Sequence, residues 1–148
     1  MAAQAYSSTP HEPNLQRFLD AQATDYAQAL AEIKAGRKRS HWMWYIFPQI
    51  QGLGFSETSR FYGIKDLAEA TAYLQHPVLG PRLVSISEEL LKLPGRNATS
   101  IFGSPDDVKL KSSMTLFGEV PTADPVFKLV LDKFFSGVPD SKTLHLVR

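Results

Sequence analysis

Hydrophobic side chains recur at intervals of three or four residues along most of this chain, which is the spacing of one face of an α-helix. The clearest example lies between residues 78 and 93, at Leu79, Leu83, Ile86 and Leu90. Pro94-Gly95 follows it, and proline or glycine also closes several of the other stretches. Convincing runs that alternate hydrophobic and polar residues, as in a half-buried strand, are absent. The pattern predicts an all-α fold of about eight helices, most of them short.

Polar capping residues mark where these helices are expected to begin, because their side chains accept hydrogen bonds from the first backbone N–H groups. The expected caps are Thr24, Ser40, Ser56, Asp66, Ser104, Asp124 and Asp140. Proline follows two of them, in Ser104-Pro105 and Asp124-Pro125, and it suits the first helical position. Thr24 would divide the region before Gly36 into two helices, the first of which begins near Leu15.

Residues 1–14 differ from the rest of the chain because they are rich in alanine, serine, threonine and proline. They lack the basic segment followed by an apolar one that marks a secretory signal. We therefore expect a disordered or loosely held N-terminal tail at residues 1–14, a cytoplasmic location and a single compact domain at residues 15–148. The whole length of 148 residues is typical of one domain. No internal repeat and no long heptad pattern is visible, so we expect a non-repetitive monomer.

Composition excludes several classes of site and partner. The chain has no cysteine, which excludes disulfides, thiolate zinc sites and a cysteine nucleophile. No two of the four histidines lie three or four residues apart and no cofactor motif is present, so neither a metal nor a cofactor is expected. A net charge of +1 argues against binding DNA through bulk charge. The longest apolar run falls short of the ~18 residues of a membrane helix, so no membrane partner is expected.

Residues 40–50 hold the densest group of aromatic side chains, including both tryptophans of the chain. Among the rings lie three polar side chains, Ser40, His41 and Gln49. Aromatic walls with a few polar groups are typical of a ligand pocket, and an aromatic face can stack on a nucleobase. Trp42 or Trp44 would supply that face. The alternative is that the rings form ordinary core, with His41 only a polar group at a helix start.

Further hydroxyl and basic side chains could hold the rest of such a ligand. These candidates are Ser59, Tyr62, Arg82, Lys109, Ser112 and Ser113. Arg82 and Lys109 would hold an anion such as phosphate. Lys109 also has a simpler interpretation, because it lies three residues from Asp106 and suits a surface ion pair. Ser113 lies on the buried face of its helix, where a hydroxyl group needs a partner.

His41 and His76 are the candidates for moving a proton, because histidine titrates near neutral pH. The sequence leaves open whether the chain is an enzyme; hydrolysis or group transfer would be the least demanding reaction, since no redox motif is present. The alternative for His76 is structural, because a histidine at a helix C-terminus is stabilised by the helix dipole. The first hypothesis is therefore a pocket for a small nucleotide-like or phosphorylated ligand.

A basic run, Arg37-Lys38-Arg39, directly precedes the aromatic segment and supports a second hypothesis. It could dock RNA or a protein partner together with the neighbouring rings, and binding to nucleic acid would then weaken steeply with salt. Nucleic acid is the less favoured partner, because such a run also suits a solvated helix end. A concave pocket would favour the first hypothesis, and a flat basic face would favour the second.

Several segments of the chain form an ordered set: Lys38–Trp44, Phe47-Pro48-Gln49, Gly52-Leu53-Gly54, Ser56 with Ser59 and Tyr62, Tyr73–Pro77, Leu79-Gly80 with Arg82-Leu83, and Phe102–Asp107 with Lys109-Leu110 and Ser112–Phe117. Together they resemble domain of unknown function family 1810, whose members are often mislabelled calpastatin. The resemblance covers most of the chain from about Leu15 and implies a small soluble α-helical domain. It implies no activity, so no catalytic residue carries over. The calpastatin label conflicts with the globular pattern of this chain, because calpastatin's inhibitory regions are disordered.

Overall fold

The computed structural model describes residues 14–148, in which the chain forms nine α-helices and no strand. The helices are α1 (Gln16–Lys34), α2 (Met43–Ile46), α3 (Glu57–Phe61), α4 (Leu67–Gln75), α5 (Leu79–Lys92), α6 (Ala98–Phe102), α7 (Asp106–Gly118), α8 (Val126–Phe135) and α9 (Ser141–Val147). The predicted all-α fold is confirmed. Within the same residues, no helix is both long and apolar enough to cross a membrane. The expected tail, residues 1–14, lies outside this range apart from Asn14.

Helix α1 is continuous through Thr24, where the sequence predicts a break between two helices. Its buried residues follow one face along the whole helix, at Phe18, Gln22, Ala29, Glu32 and Ile33. Two of these residues are polar, and they interrupt the hydrophobic pattern that identifies one long helix. Thr24 is exposed in the middle of α1. The prediction of two helices is wrong because the packing of this face outweighs the local capping preference of threonine.

Side-chain caps begin four of the helices in residues 14–148. They are Ser56 for α3, Asp66 for α4, Asn97 for α6 and Asp140 for α9. Ser104 and Ser40 do not cap as expected, because α7 follows Pro105 and α2 follows Trp42 without a side-chain cap. The Ser40 hydroxyl instead donates to the buried carboxylate of Glu32 (2.6 Å). Ser40 lies two residues before Trp42, the residue that precedes α2, so its oxygen is not at the position that accepts from the first N–H groups of the helix.

Helix α5 packs against α1, α4 and α8, and α7 packs against α4, α6, α8 and α9. The hydrophobic residues of α5 that the sequence places inward are fully buried, at Leu79, Leu83, Ile86 and Leu90. Gly80 allows α5 to approach α4 closely, since a Cβ atom at this position would lie 2.0 Å from the Leu74 carbonyl oxygen. Helix α7 thus contacts both the core helices and α9. These contacts fix the positions of α7 and α9, which line the cleft described below.

Residues 51–63 form a loop that contains α3, a helix that buries none of its side chains. Two backbone hydrogen bonds of 2.8 Å close the base of this 51–63 loop, from Gln51 N–H to the Ile64 carbonyl and from Ile64 N–H to the Gln49 carbonyl. Gly63 allows this close approach, because a Cβ atom there would lie 2.6 Å from Gln51 Cγ. Compact loops with adjacent ends are frequently functional, and this one forms a wall of a cleft.

Candidate functional site

A cleft of about 310 Å³ lies between the 51–63 loop, helix α7 and the start of α9. Its surface is mostly apolar, with Ile50, Leu53 and Val108 among the residues that line it. Six of the ligand-binding residues predicted from the sequence also line it: Trp44, Gln49, Ser59, Tyr62, Lys109 and Ser112. They come from three separate segments of the chain, so tertiary packing brings them together.

Helix α7 presents Val108, Lys109 and Ser112 to the cleft because residues three and four positions apart share one helical face. Ser112 is buried, and its hydroxyl donates to the Val108 carbonyl (3.2 Å). Other positions of α7 are fully buried in the core, at Ser113, Leu110, Met114 and Phe117. The core therefore fixes the backbone from which Lys109 extends.

Lys109 is held at the cleft by two contacts. Its ammonium nitrogen lies 4.1 Å from the centre of the Trp44 ring and 3.1 Å from Asp106 Oδ1. A cation above an indole face is attracted by the negative face of the ring. The Asp106 ion pair, which is the simpler interpretation of this lysine from the sequence, is therefore present, and the same lysine lines the cleft.

Asp106 contacts two lysines at once, because Lys38 Nζ lies 2.9 Å from its second oxygen. Burial on its own would raise the pKa of Asp106, but the hydrogen bonds and charges of Lys38 and Lys109 lower it. The carboxyl group therefore stays ionised at neutral pH. One aspartate between two lysines leaves one positive charge uncompensated within this group of three side chains.

The start of α9 contributes Asp140 and Lys142 to the cleft. Asp140 is engaged by the helix, since it accepts hydrogen bonds from the Thr143 N–H (2.9 Å) and hydroxyl (2.6 Å). Lys142 is exposed and forms no ion pair with any of residues 14–148. Neither residue is predicted from the sequence as part of the site, because no local pattern links this end of the chain to Trp44. Their two charges cancel, so the cleft keeps the one positive charge that Asp106 leaves uncompensated, and this charge suits an anionic ligand.

Two polar groups of the cleft have no hydrogen-bond partner within the described part of the chain, the side-chain amide of Gln49 and the hydroxyl of Tyr62. The Tyr62 ring packs against Tyr45, with 5.1 Å between the ring centres. The Ser59 hydroxyl donates to the Ser56 carbonyl (2.8 Å) and keeps its acceptor lone pairs. These groups are available to orient a ligand in an otherwise apolar cleft.

The other predicted ligand-binding residues lie outside the lining of the cleft: Ser40, His41, Arg82 and Ser113. The Arg82 guanidinium donates to the Gln22 side-chain oxygen (3.4 Å) and lies over the Tyr26 ring, 5.1 Å from its centre. Ser113 is fully buried, and its hydroxyl lacks a partner among residues 14–148. Arg82 and Lys109 therefore do not act together on one anion in this arrangement.

The two proton-transfer candidates, His41 and His76, do not line the cleft either. His76 ends α4, as the sequence predicts, and its Nδ1 accepts hydrogen bonds from the N–H groups of Val78 (3.1 Å) and Leu79 (3.3 Å). These two hydrogen bonds hold the backbone that leads into α5. His41 is exposed, and its carbonyl accepts from the Tyr45 hydroxyl (3.2 Å). The structure gives both histidines a place outside the candidate site.

The basic run Arg37-Lys38-Arg39 turns around the end of α1. The Arg39 N–H donates to the Glu32 carboxylate (2.7 Å), and the Arg37 N–H donates to the Glu32 carbonyl (3.0 Å). Lys38 is directed inward, since it pairs with Asp106 and lies 5.0 Å from the centre of the Trp42 ring. Only Arg37 and Arg39 of the three remain exposed, so the basic surface is smaller than the run indicates.

Glu32 is a buried carboxylate that the sequence analysis missed. It is 4% exposed and accepts five hydrogen bonds, from Gln28, the Arg39 N–H, the Ser40 N–H and hydroxyl, and the Trp42 indole. Burial on its own would raise the pKa of Glu32, but these hydrogen bonds lower it to about 2. Its register is the signal that could have found it, because Glu32 shares the buried helical face of Ala29 and Ile33.

The family model and the solved structure that match this chain are both described without a function. The family model described as "Protein of unknown function (DUF1810)" matches residues 12–147. The crystal structure of the conserved hypothetical protein Rv1873 from Mycobacterium tuberculosis, at 1.38 Å, is similar with a TM-score of 0.88 and 48% sequence identity. That similarity covers 90% of this chain and 95% of the other. No curated protein gives a significant match.

Proposed function

The chain belongs to the DUF1810 family of proteins of unknown function, and we propose that it binds a small ligand that carries an aromatic ring and a phosphate or similar anion. The ligand would occupy the cleft between the 51–63 loop and α7. One observation carries this proposal: the ammonium group of Lys109 contacts both the Trp44 ring and the Asp106 carboxylate at the lining of this cleft. A ring and an anion can therefore be bound side by side.

Each part of such a ligand has a matching group in the cleft. Trp44 and Tyr62 offer aromatic surface for a planar ring. Lys109 and Lys142 offer positive charge for the anion, and Asp106 compensates only one of the two lysines that it contacts. Gln49 offers an amide without a partner among the described residues. Aromatic and apolar walls with a few polar groups are the usual composition of a small-molecule site.

The size of the cleft favours a ligand of mononucleotide size. Small-molecule pockets range from roughly 300 to 1,000 Å³, and a volume of about 310 Å³ lies at the lower end of that range. A dinucleotide or a longer nucleic acid would extend beyond it. The proposal therefore covers nucleoside monophosphates and other phosphorylated ring compounds of similar size.

Binding alone is proposed, without a reaction. His41 and His76 do not line the cleft, so neither is placed to transfer a proton to a ligand there. The serine hydroxyls that line it donate to backbone carbonyls, Ser59 to Ser56 and Ser112 to Val108. A hydroxyl nucleophile needs an adjacent general base to accept its proton. The cleft residues are thus arranged to hold a ligand.

The second hypothesis, docking of RNA or a protein through Arg37-Lys38-Arg39, has less support. The Lys38 side chain is 7% exposed and pairs with Asp106. It is therefore not available to a partner that docks on the surface. The two exposed arginines offer two charges, whereas a nucleic-acid site usually makes several phosphate contacts. The cleft is concave and is lined by polar groups without a partner among the described residues. Both features favour the first hypothesis, a small-molecule site, over the docking of RNA or a protein.

Isothermal titration calorimetry tests the proposal with AMP, GMP, CMP, UMP and pyridoxal 5′-phosphate. We expect at least one compound to bind with one-to-one stoichiometry. The variant Lys109→Met should weaken that binding by about tenfold or more, because it removes a charge-assisted contact. Lys34→Met is the matched control, since Lys34 is exposed at the end of α1 and should leave the affinity unchanged.

Three results would contradict the proposal. The first is that none of the five compounds binds the wild-type protein. The second is that Lys109→Met, shown by circular dichroism to be folded, binds as tightly as the wild type. The third is an equal loss of affinity in Lys34→Met and Lys109→Met. The loss would then come from the net charge of the protein, which would contradict a role for the cleft.

A further inference from the structure

We infer that the ring of this ligand is a nucleobase and that Gln49 recognises its edge by hydrogen bonds. The inference rests on the proposed function and narrows the ligand to the nucleoside monophosphates. Gln49 lines the cleft together with Trp44 and Tyr62, the two aromatic residues that would stack on a base.

The backbone at Gln49 is fixed on both sides. Its carbonyl accepts the Ile64 N–H (2.8 Å) at the base of the 51–63 loop, and Pro48 before it is buried. Two residues later, the Gln51 N–H donates to the Ile64 carbonyl (2.8 Å). The Gln49 side chain therefore extends from a fixed point beside the cleft, as a residue that reads a ligand edge must.

The side-chain amide of Gln49 differs from that of Gln22. These two are the glutamines that are not exposed in residues 14–148. The Gln22 amide donates to the Tyr45 carbonyl (2.7 Å) and the Tyr73 hydroxyl (2.9 Å), and it accepts from Arg82 (3.4 Å). The Gln49 amide has no such partner within the described chain. Gln49 is not among the residues with a buried, unpaired side-chain atom, so its amide stays accessible from the cleft, where a ligand can pair with its donor and its acceptor.

An amide recognises a particular chemical pattern. It presents a hydrogen-bond donor beside an acceptor in one plane, and a nucleobase edge with an adjacent acceptor and donor matches it in two hydrogen bonds, as in amide pairing with adenine. A sugar hydroxyl or a phosphate oxygen has no such planar pair. The amide can turn over to present either order of donor and acceptor, so Gln49 selects nucleobases as a class.

Isothermal titration calorimetry with AMP, GMP, CMP, UMP and ribose 5-phosphate tests this inference. The tightest nucleotide should bind about tenfold or more tightly than ribose 5-phosphate, which has the phosphate and lacks the base. The near-isosteric variant Gln49→Met should lose about tenfold in affinity for that nucleotide. It should leave the affinity for ribose 5-phosphate unchanged, whereas Lys109→Met should weaken both ligands.

Gln75→Met is the matched control, because Gln75 is exposed at the end of α4 and does not line the cleft. It should not change either affinity. Gln49→Leu provides a second test if Gln49→Met fails to fold.

The inference is overturned if ribose 5-phosphate binds as tightly as every nucleotide, or if folded Gln49 variants keep the nucleotide affinity. Binding of pyridoxal 5′-phosphate without any nucleotide would overturn it and leave the proposed function standing, whereas the absence of all binding would overturn both.

Discussion

Trp42 and Trp44 are two residues apart and have opposite environments. Trp42 is 1% exposed, and its indole N–H donates to the buried Glu32 carboxylate (2.9 Å). Trp44 is partly exposed, and it lines the cleft with Lys109 above its ring. Residues two positions apart in a helical turn point about 200° apart, so one local aromatic cluster supplies both the core and the cleft. Aromatic density alone therefore did not distinguish the two roles.

The polar groups around the two tryptophans show what does distinguish them. Around Trp42, every group that contacts Glu32 is paired within the protein, and the carboxylate accepts five hydrogen bonds. Around Trp44, the Gln49 amide and the Tyr62 hydroxyl lack partners among residues 14–148. A satisfied network stabilises the fold, whereas unsatisfied groups beside a cleft are available for binding.

The largest effect should come from Glu32→Ala. It leaves the N–H groups of Arg39 and Ser40 and the Trp42 indole without their acceptor, so we expect a loss of roughly 3–5 kcal/mol in the free energy of unfolding. Urea denaturation followed by circular dichroism measures it. Glu88→Ala is the matched control, because Glu88 is exposed on α5, and it should change the stability by less than about 0.5 kcal/mol. A loss below about 1 kcal/mol in Glu32→Ala would show that the Glu32 network is not needed for the fold.

The same network predicts how stability changes with pH. The pKa of Glu32 is lowered from 4.5 to about 2 in the folded protein. Its ionised form therefore stabilises the fold fully above pH 4.5, and this contribution is lost as the pH falls towards 2. Over that window, the stability of the wild type should fall more steeply than that of Glu32→Gln, which does not titrate. Parallel pH profiles of the two proteins would contradict the assignment.

A smaller contrast is expected between Trp42→Phe and Trp44→Phe. Trp42→Phe removes a buried hydrogen bond and leaves a space in the core, so it should cost roughly 1–3 kcal/mol of stability. Trp44→Phe keeps an aromatic face for Lys109 and should cost less than about 1 kcal/mol. Thermal unfolding of both variants under one condition gives the comparison. Equal losses, or a larger loss in Trp44→Phe, would place both rings in the core.

The sequence was informative wherever a helical face was regular. The all-α fold follows from the spacing of residues such as Leu79 and Leu83, and the caps at Asp66 and Asp140 follow from their side-chain chemistry. The continuity of α1 was missed because Gln22 and Glu32 lie on its buried face and look like breaks in the hydrophobic pattern. Only tertiary contacts show that these polar side chains are paired inside the protein.

The sequence predicts only some of the residues that line the candidate site. Trp44, Gln49 and Lys109 stand in segments that mix aromatic and polar residues, and the fold places them around one cleft. Arg82 has the same kind of chemistry, yet its position on α5 directs it to Gln22 and Tyr26. Asp140 and Lys142 carry no local signal of a ligand site, since the packing of α9 against α7 brings them to the cleft. Residue type indicates what a side chain can do, and packing decides where it acts.

Nuclear magnetic resonance of the two indole N–H groups tests the central claim most directly, because the chain has two tryptophans. Trp42→Phe and Trp44→Phe assign the two signals of ¹⁵N-labelled protein, which is then titrated with AMP, GMP, CMP and UMP. We predict that at least one nucleotide shifts the Trp44 signal to saturation while the Trp42 signal stays in place. A Trp44 signal that does not move with any nucleotide, or a shift confined to Trp42, would contradict binding in the cleft.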